Sequence, residues 1–285
     1  MELIRAIVLG VVQGLTEFLP ISSSAHLRIV PELFGWPDPG AAFTAVIQLG
    51  TMAAVLLYFW SDLWNIARTW LRSLRDPSLR GELEARMGWY LIIATVPIVI
   101  FGVLFKDQVE TGARDLRLVG TMLIVFGVIL YVADRAGRKD RELEQLNSTD
   151  GVSIGLAQSL ALIPGVSRSG ATITAGLFRG FTREAAARFS FLLSVPAVVL
   201  SGVYELKDAG SGSYGVGATV VATVLAFVVG YAAIAWFLRF LVNHTVLVFV
   251  VYRVALGILV LTLVAAGSIK ANTPALGDYL GTLKR

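Results

Sequence analysis

Cysteine is absent from the 285-residue chain, and histidine occurs only twice. Disulfides, thiolate nucleophiles and cysteine-ligated metals are therefore excluded. Any imidazole chemistry must come from His26 or His244. Charge is also scarce: Asp, Glu, Lys and Arg make up 15% of the chain, against about 25% in soluble domains. The net charge of +4 is small and its basic residues lie in loops between apolar runs, which suits a membrane surface rather than nucleic acid. A cleavable leader is not expected, because residues 1–19 carry Glu2, Arg5 and Glu17 and no small-residue cleavage site.

Apolar sequence is plentiful: 56% of residues are hydrophobic, with a mean hydropathy of +0.73. The chain is expected to be an all-α polytopic membrane protein forming a single integral domain. Runs approaching the roughly 20 apolar residues needed to cross a bilayer occur at 43–60, 88–105, 118–133, 189–204, 216–238 and 247–266, giving six expected spans. Pro97 and Pro196 fall inside two of them and are expected to kink those helices. The arginine-rich loop 61–87 is expected to hold a short amphipathic helix, the charged runs at 61–87 and 134–150 to be solvated surface, and 268–285 to be a frayed tail.

Two passages, 3–30 and 152–178, do not fit as simple spans. Each is apolar, too long for one helix, too short for two crossings, and broken midway by Pro with Ser or Gly. Each is expected to be a re-entrant hairpin, tolerable at depth only when buried in protein or lining a wet cavity. The passages also resemble each other. Gly10, Gln13 and Gly14 match Gly155, Gln158 and Ser159, and after a one-residue gap the run from Pro20 to Ser24 matches that from Pro164 to Arg168. Three spans follow each copy. An odd number of crossings between them makes the second copy inverted, with repeats at about 1–134 and 151–267, as in transporters whose broken helices meet at mid-depth. This alignment sets Glu17 against Leu162 and Ser24 against Arg168. Loops on the 61–87 and 134–150 side carry more Lys and Arg than the opposite loops, which places them in the cytoplasm and both termini outside.

The first broken passage contains most of the candidate chemistry. Gln13 and Glu17, four apart, share a helix face, and a carboxylate in such sequence suggests a metal ligand or general base; a helix end reaching interfacial water is the plainer reading. Ser22, Ser23, Ser24 and His26 follow Pro20 and could be a capped turn, an anion site at a helix start, or a hydroxyl–imidazole nucleophile pair. In the second passage Arg168 lies among Ser167, Ser169, Gly170 and Thr172, a set suited to phosphate oxygens; a snorkelling interfacial arginine is the alternative. Gln48 either lines the cavity or bonds a neighbouring helix. Arg253, just inside the last expected span, is read as snorkelling, and His244 has no evident partner. Acid, serines and histidine on one tip and a cation on the other suit a reaction centre more than a passive pore.

The segments QGLTEFLPISSSAH (13–26) and PGVSRSGAT (164–172) closely resemble the two signature motifs of the undecaprenyl-diphosphate phosphatase, or bacitracin-resistance, family, and the likeness covers nearly the whole chain. The resemblance implies an integral membrane enzyme of the bacterial plasma membrane, built from six spans and two re-entrant hairpins with its active site open to the outer face. Its expected reaction is hydrolysis of undecaprenyl diphosphate to the monophosphate and inorganic phosphate, recycling the carrier lipid of cell-wall synthesis and conferring bacitracin resistance. By position it implies Glu17, Ser23, His26 and Arg168 as catalytic residues. Gln13, Ser22, Ser24, Gln48, Ser167, Ser169, Gly170 and Thr172 are expected to contact substrate. It also implies a divalent cation, Mg2+ or Ca2+, on Glu17. Many members have a second glutamate where this chain has Gln13, and a glycine where it has Ala25. The attacking group is either Ser23 assisted by His26 or water activated by His26. A polyprenyl diphosphate, membrane lipids and a second copy of the chain are the expected partners. The rival reading is a transporter or flippase of a polyprenyl phosphate lipid.

Overall fold

The computed structural model describes residues 1–105, 115–205 and 214–272. Among these there is no β-strand, only an isolated bridge between Arg141 and Phe181. The chain runs as α1 (Glu2–Phe18), α2 (Ser23–Leu33), α3 (Gly40–Tyr58), α4 (Trp60–Ser73), α5 (Leu83–Leu104), α6 (Leu116–Ala136), α7 (Ser148–Ser159), α8 (Arg168–Phe178), α9 (Arg183–Glu205), α10 (Val216–Asn243) and α11 (Leu247–Ala265).

Among the described residues, four helices are long and apolar enough to cross a membrane: α5, α6, α10 and α11. A fifth candidate is the pair α3–α4, which bends by 73° at its junction. The expected span at 43–60 lies in α3, and the amphipathic helix expected at 61–87 is α4. The expected span at 189–204 lies in α9, which is not among the four. It carries Arg183, Glu184 and Arg188 in its first turns and buries Ala186, Phe189, Phe191 and Leu193. Pro97 and Pro196 both lie within continuous helices. The tail at 273–285 and the loop cations Lys106, Arg114 and Lys207 lie outside the described residues.

Both broken passages form helix–break–helix elements, α1–α2 and α7–α8. The break has the same local cause in each. Leu19 and Ile163 are extended, as expected for residues preceding proline. A serine in the left-handed region then starts the second helix: Ser22 at φ 71° and Ser167 at φ 73°. Each accepts a hydrogen bond on its Oγ from the backbone N–H three residues on, Ala25 at 3.4 Å and Gly170 at 3.1 Å. Each also contacts the serine two positions later, Ser24 at 3.2 Å and Ser169 at 3.1 Å. These caps set Ser22 against Ser167 and Ser23 against Arg168. The expected pairing of Ser24 with Arg168 is therefore shifted by one, because the second break has one more residue between its proline and its cap.

The packing is reciprocal. Helix α1 lies along α10, and α7 lies along α5. A Cβ on Gly10 would stand 2.8 Å from Ala222 Cα of α10, and one on Gly155 would stand 2.6 Å from Ala94 Cα of α5. Small residues of this kind let helix backbones approach closely in lipid. Helices α6 and α11 pack on each other, as do α3 and α9. The larger core joins Phe18, Phe59, Phe191 and Phe237, with Phe18 edge-on to Phe191 at 5.4 Å. The break after α1 thus rests on a packed aromatic floor.

The charged run at 134–150 is not all solvated surface. Asp134 and Asp150 are buried. Arg183 holds Asp134, while Arg141 and Arg179 hold Asp150 from both sides at 2.6 Å. Buried carboxylates survive here because each has a guanidinium partner.

Candidate active site

The breaks bring the two hairpin tips together. Arg168 Nη2 donates to Glu17 Oε1 at 2.8 Å. Ser23 Oγ donates to Glu17 Oε2 at 2.6 Å, and Gln13 Nε2 donates to the same oxygen at 3.1 Å. The Glu17 and Arg168 side chains are 8% and 15% exposed, so the pair is mostly withdrawn from water. Geometry of this kind strengthens a charge-assisted bond. Removing either partner would leave an uncompensated charge, at a cost of about 3–5 kcal/mol.

Other expected residues brace this cluster. Ser169 Oγ donates to the Leu19 carbonyl at 2.9 Å, tying the second tip to the first. Ser22 and Ser167 cap their helices. Gln13 Nε2 also reaches Thr51 Oγ1 at 3.4 Å, and Thr51 donates to the Gln48 carbonyl at 2.9 Å. The backbone of Gln48 is thereby linked to the site, while its half-buried side chain makes no hydrogen bond to Glu17, whose bonds go to Gln13, Ser23 and Arg168. Thr172 turns away: its hydroxyl bonds the Arg168 carbonyl at 2.8 Å and Ser190 Oγ at 2.6 Å, between α8 and α9. Ser24 is exposed at the start of α2.

His26 is buried, and both ring nitrogens are occupied. Nδ1 lies 2.7 Å from the Ser22 carbonyl and Nε2 lies 2.7 Å from the Tyr252 hydroxyl. A carbonyl can only accept, so Nδ1 carries a proton. In the neutral ring the Nε2 lone pair then accepts from Tyr252. The two rings are stacked at 5.6 Å. The hydroxyl of Ser23 is bonded to Glu17 rather than to His26.

Two residues of α11 were not singled out as functional by sequence reasoning. Tyr252 anchors His26. Arg253, expected to snorkel, is fully buried and bonds backbone carbonyls of both tips. A polar Tyr–Arg dipeptide inside an apolar run was the available signal. His244 is exposed, stacks on Phe240 at 4.4 Å and contacts the Phe240 carbonyl; it is remote from the cluster in sequence and in bonding.

No group of three or more His, Asp or Glu side chains gathers as a metal site among the described residues. The oxygen donors at the tips are the Glu17 carboxylate, the Ser23 hydroxyl and Gln13 Oε1, which is buried without a hydrogen-bond partner. This is a hard, sparse, all-oxygen set. It fits an ion such as magnesium, which takes one or two carboxylates and fills its remaining positions with phosphate and water. A separate cavity of about 360 Å³ opens between α4, α5, the turn at 142–145 and α9; Asp62, Glu84, Glu144 and Arg188 line it, and Glu17 and Arg168 do not.

The chain is 58% identical over 272 residues to an undecaprenyl-diphosphatase of a Nocardioides species, covering 95% of this chain and 99% of the relative. It is 59% identical to an undecaprenyl-diphosphatase of Thermobifida fusca, covering 96% and 94%, and 55% identical to one of Mycolicibacterium smegmatis, covering 95% and 100%. A family model described as bacitracin resistance protein BacA matches residues 6–259, and the chain, a multi-pass membrane protein, belongs to that family.

Proposed function

We propose that the chain hydrolyses undecaprenyl diphosphate to undecaprenyl phosphate and inorganic phosphate, in the bacterial plasma membrane and from its outer face. The relatives' names and the family support the reaction. The observation that carries it is the convergence of Ser23 and Arg168, from different hairpins, on the two oxygens of one carboxylate, Glu17, which lies 151 residues from Arg168 in the chain. The excess of Lys and Arg in the loops at 61–87 and 134–150 supports the orientation.

The prenyl tail stays in lipid while the diphosphate enters between the tips. Arg168 exchanges its bond to Glu17 for the phosphate oxygens, which its planar fork suits. Glu17 Oε2, already accepting from Ser23, takes the hydroxyl proton as Ser23 Oγ attacks the terminal phosphorus. The bond from phosphorus to the bridging oxygen breaks, and undecaprenyl phosphate leaves with that oxygen. Glu17 passes that proton to the departing phosphate oxygen, then draws a proton from water as the water oxygen attacks the phosphoserine, and returns it to Ser23 Oγ as inorganic phosphate leaves. Of the two attacking groups, the geometry favours Ser23, because the free lone pair of His26 is committed to Tyr252. His26 acts by fixing the Ser22 turn that presents Ser23. Glu17, Gln13 and Ser23 would hold a divalent cation, Mg2+ or Ca2+, which when bound neutralises phosphate charge. Positioning and charge neutralisation supply most of the rate in phosphoryl transfer.

The test is phosphate release from a long-chain prenyl diphosphate by the purified chain in detergent, with and without chelator. Release that falls with chelator is expected. A protein that binds the lipid but releases no phosphate in detergent would instead be a transporter, the class whose architecture the reciprocal packing shares.

A further inference from the structure

Arg253 has the most unusual setting of any cation among the described residues. It is 0% exposed and lies in the last spanning helix. Its Nη1 donates to the Pro20 carbonyl at 3.0 Å, and its Nη2 donates to the carbonyls of Gly165 at 3.0 Å and Val166 at 2.9 Å. One guanidinium therefore holds backbone carbonyls of both hairpin tips. Its Nε is buried without a partner, and the described ion pairs give it no carboxylate. A buried cation without a counter-ion is costly in a membrane, and a methionine would fill similar space without that cost. The charge and the fork therefore serve something other than packing.

We propose that Arg253 is a positioning residue for the phosphatase reaction. It sets the register of the two tips, so that Ser23 on one and Arg168 on the other face the same phosphorus. Only a planar fork with several donors can reach carbonyls arriving from two directions. The same side chain contributes to the charge at the tips. Glu17 and Arg168 pair with each other, so Arg253 adds positive charge beside the tips, which favours an anionic diphosphate. Next to it, Tyr252 anchors His26, so two consecutive residues of α11 hold both the inter-tip contact and the Ser22 turn. This proposal rests on the functional reading above.

The glycine at 170 supplies a second handle on the same contact. A Cβ there would stand 2.7 Å from Arg253 Nη1 and 3.1 Å from Ser167 Cβ, so Gly170→Ala presses hardest on the flexible end of the guanidinium and less on the capping serine.

The experiment measures kcat and KM for phosphate release from a long-chain prenyl diphosphate by wild type, Arg253→Lys, Gly170→Ala and the double variant, all purified in detergent. Folding is checked by size exclusion and thermal unfolding. A displacement of the tips on the 1 Å scale costs roughly 10²-fold in rate. Both single variants should therefore lose at least about tenfold in kcat, with KM within about threefold of wild type, the pattern of a transition-state loss. The double variant should be no worse than the weaker single, because both act through one contact. The pH profile should keep its shape, since no proton is moved by Arg253. Wild-type kcat in Arg253→Lys overturns the proposal, as does a rise in KM with kcat unchanged. If Arg253→Lys does not fold, Gly170→Ala decides alone: wild-type kcat there overturns the proposal. A wild-type chain that releases no phosphate overturns the functional reading itself, before any variant is compared.

Discussion

After the cap of the first hairpin tip comes Ser23; after the cap of the second comes Arg168. Both tips turn on a serine with positive φ, both bond that serine to the N–H three residues on, and both run into an 11-residue helix. Their approach legs pack on exchanged partners, α1 on α10 and α7 on α5. Against that shared frame the chemistry is divided. The first tip contributes a carboxylate and a hydroxyl, the second a guanidinium, and the three meet around Glu17. One backbone solution serves twice, and the side chain that follows the cap is a hydroxyl in one tip and a guanidinium in the other.

The sharpest way to break the comparison is to exchange the charges. In Glu17→Arg/Arg168→Glu the ion pair is restored with reversed polarity, so thermal stability should recover most of the about 3–5 kcal/mol that each single change costs. Turnover should nevertheless stay more than about 10³-fold below wild type, since the base no longer sits beside Ser23 on α1 and the cation no longer faces the phosphate. Activity near wild type would mean that the two tips are interchangeable.

The next test separates the serines. Ser23→Ala should lower kcat about 10³-fold. Ser24→Ala should change it by less than about threefold, because Ser24 is exposed and bonds only Ser22. Equal losses in both would restore the alignment that pairs Ser24 with Arg168.

Smaller effects are expected away from the chemistry. Gly10→Ala and Gly155→Ala each drive a methyl group into a facing helix backbone. Each should destabilise by about 1–3 kcal/mol, read as a lowered thermal midpoint with little change in KM. A loss in only one of them would show that the reciprocal packing is not energetically shared.

The smallest effect concerns Asp150, at the far end of the second hairpin from its tip. Burial pushes its carboxyl up, but the bonds from Arg141 and Arg179 and from the Asn147 backbone outweigh this and hold it below the usual carboxylate range. A depressed folded-state pKa contributes stability that is complete above the unfolded value of about 3.9 and is lost as pH falls through the folded one. Wild type should therefore lose thermal stability on acidification below about pH 4. Asp150→Asn should start lower and show a flatter acid limb. A wild-type limb unchanged in that variant would remove Asp150 from the account.

The sequence showed the breaks and the acid–cation pair because each violates its surroundings. Proline with serine interrupts an apolar run, and Glu17 and Arg168 are charges in lipid-grade sequence. The register of the second tip was not legible, because matching proline to proline conceals a one-residue difference in the turn that only the backbone conformation at Ser22 and Ser167 reveals. Arg253 was misjudged for a related reason. Snorkelling and burial look alike from position alone, and the deciding feature is a pair of tips brought together from elsewhere in the chain. Thr172 illustrates the converse: its helix places it one face away from the cluster, bonded to Ser190, although its neighbours in sequence are at the site.

The most direct measurement is the turnover of purified, folded Arg168→Ala with a long-chain prenyl diphosphate at a concentration that saturates the unmodified chain. If one diphosphate is gripped from both hairpins, phosphate release falls to background while the elution profile and the α-helical signal persist. Release at the unmodified rate would mean that the guanidinium of the second tip takes no part in the reaction, and that the meeting of the two hairpins is architecture alone.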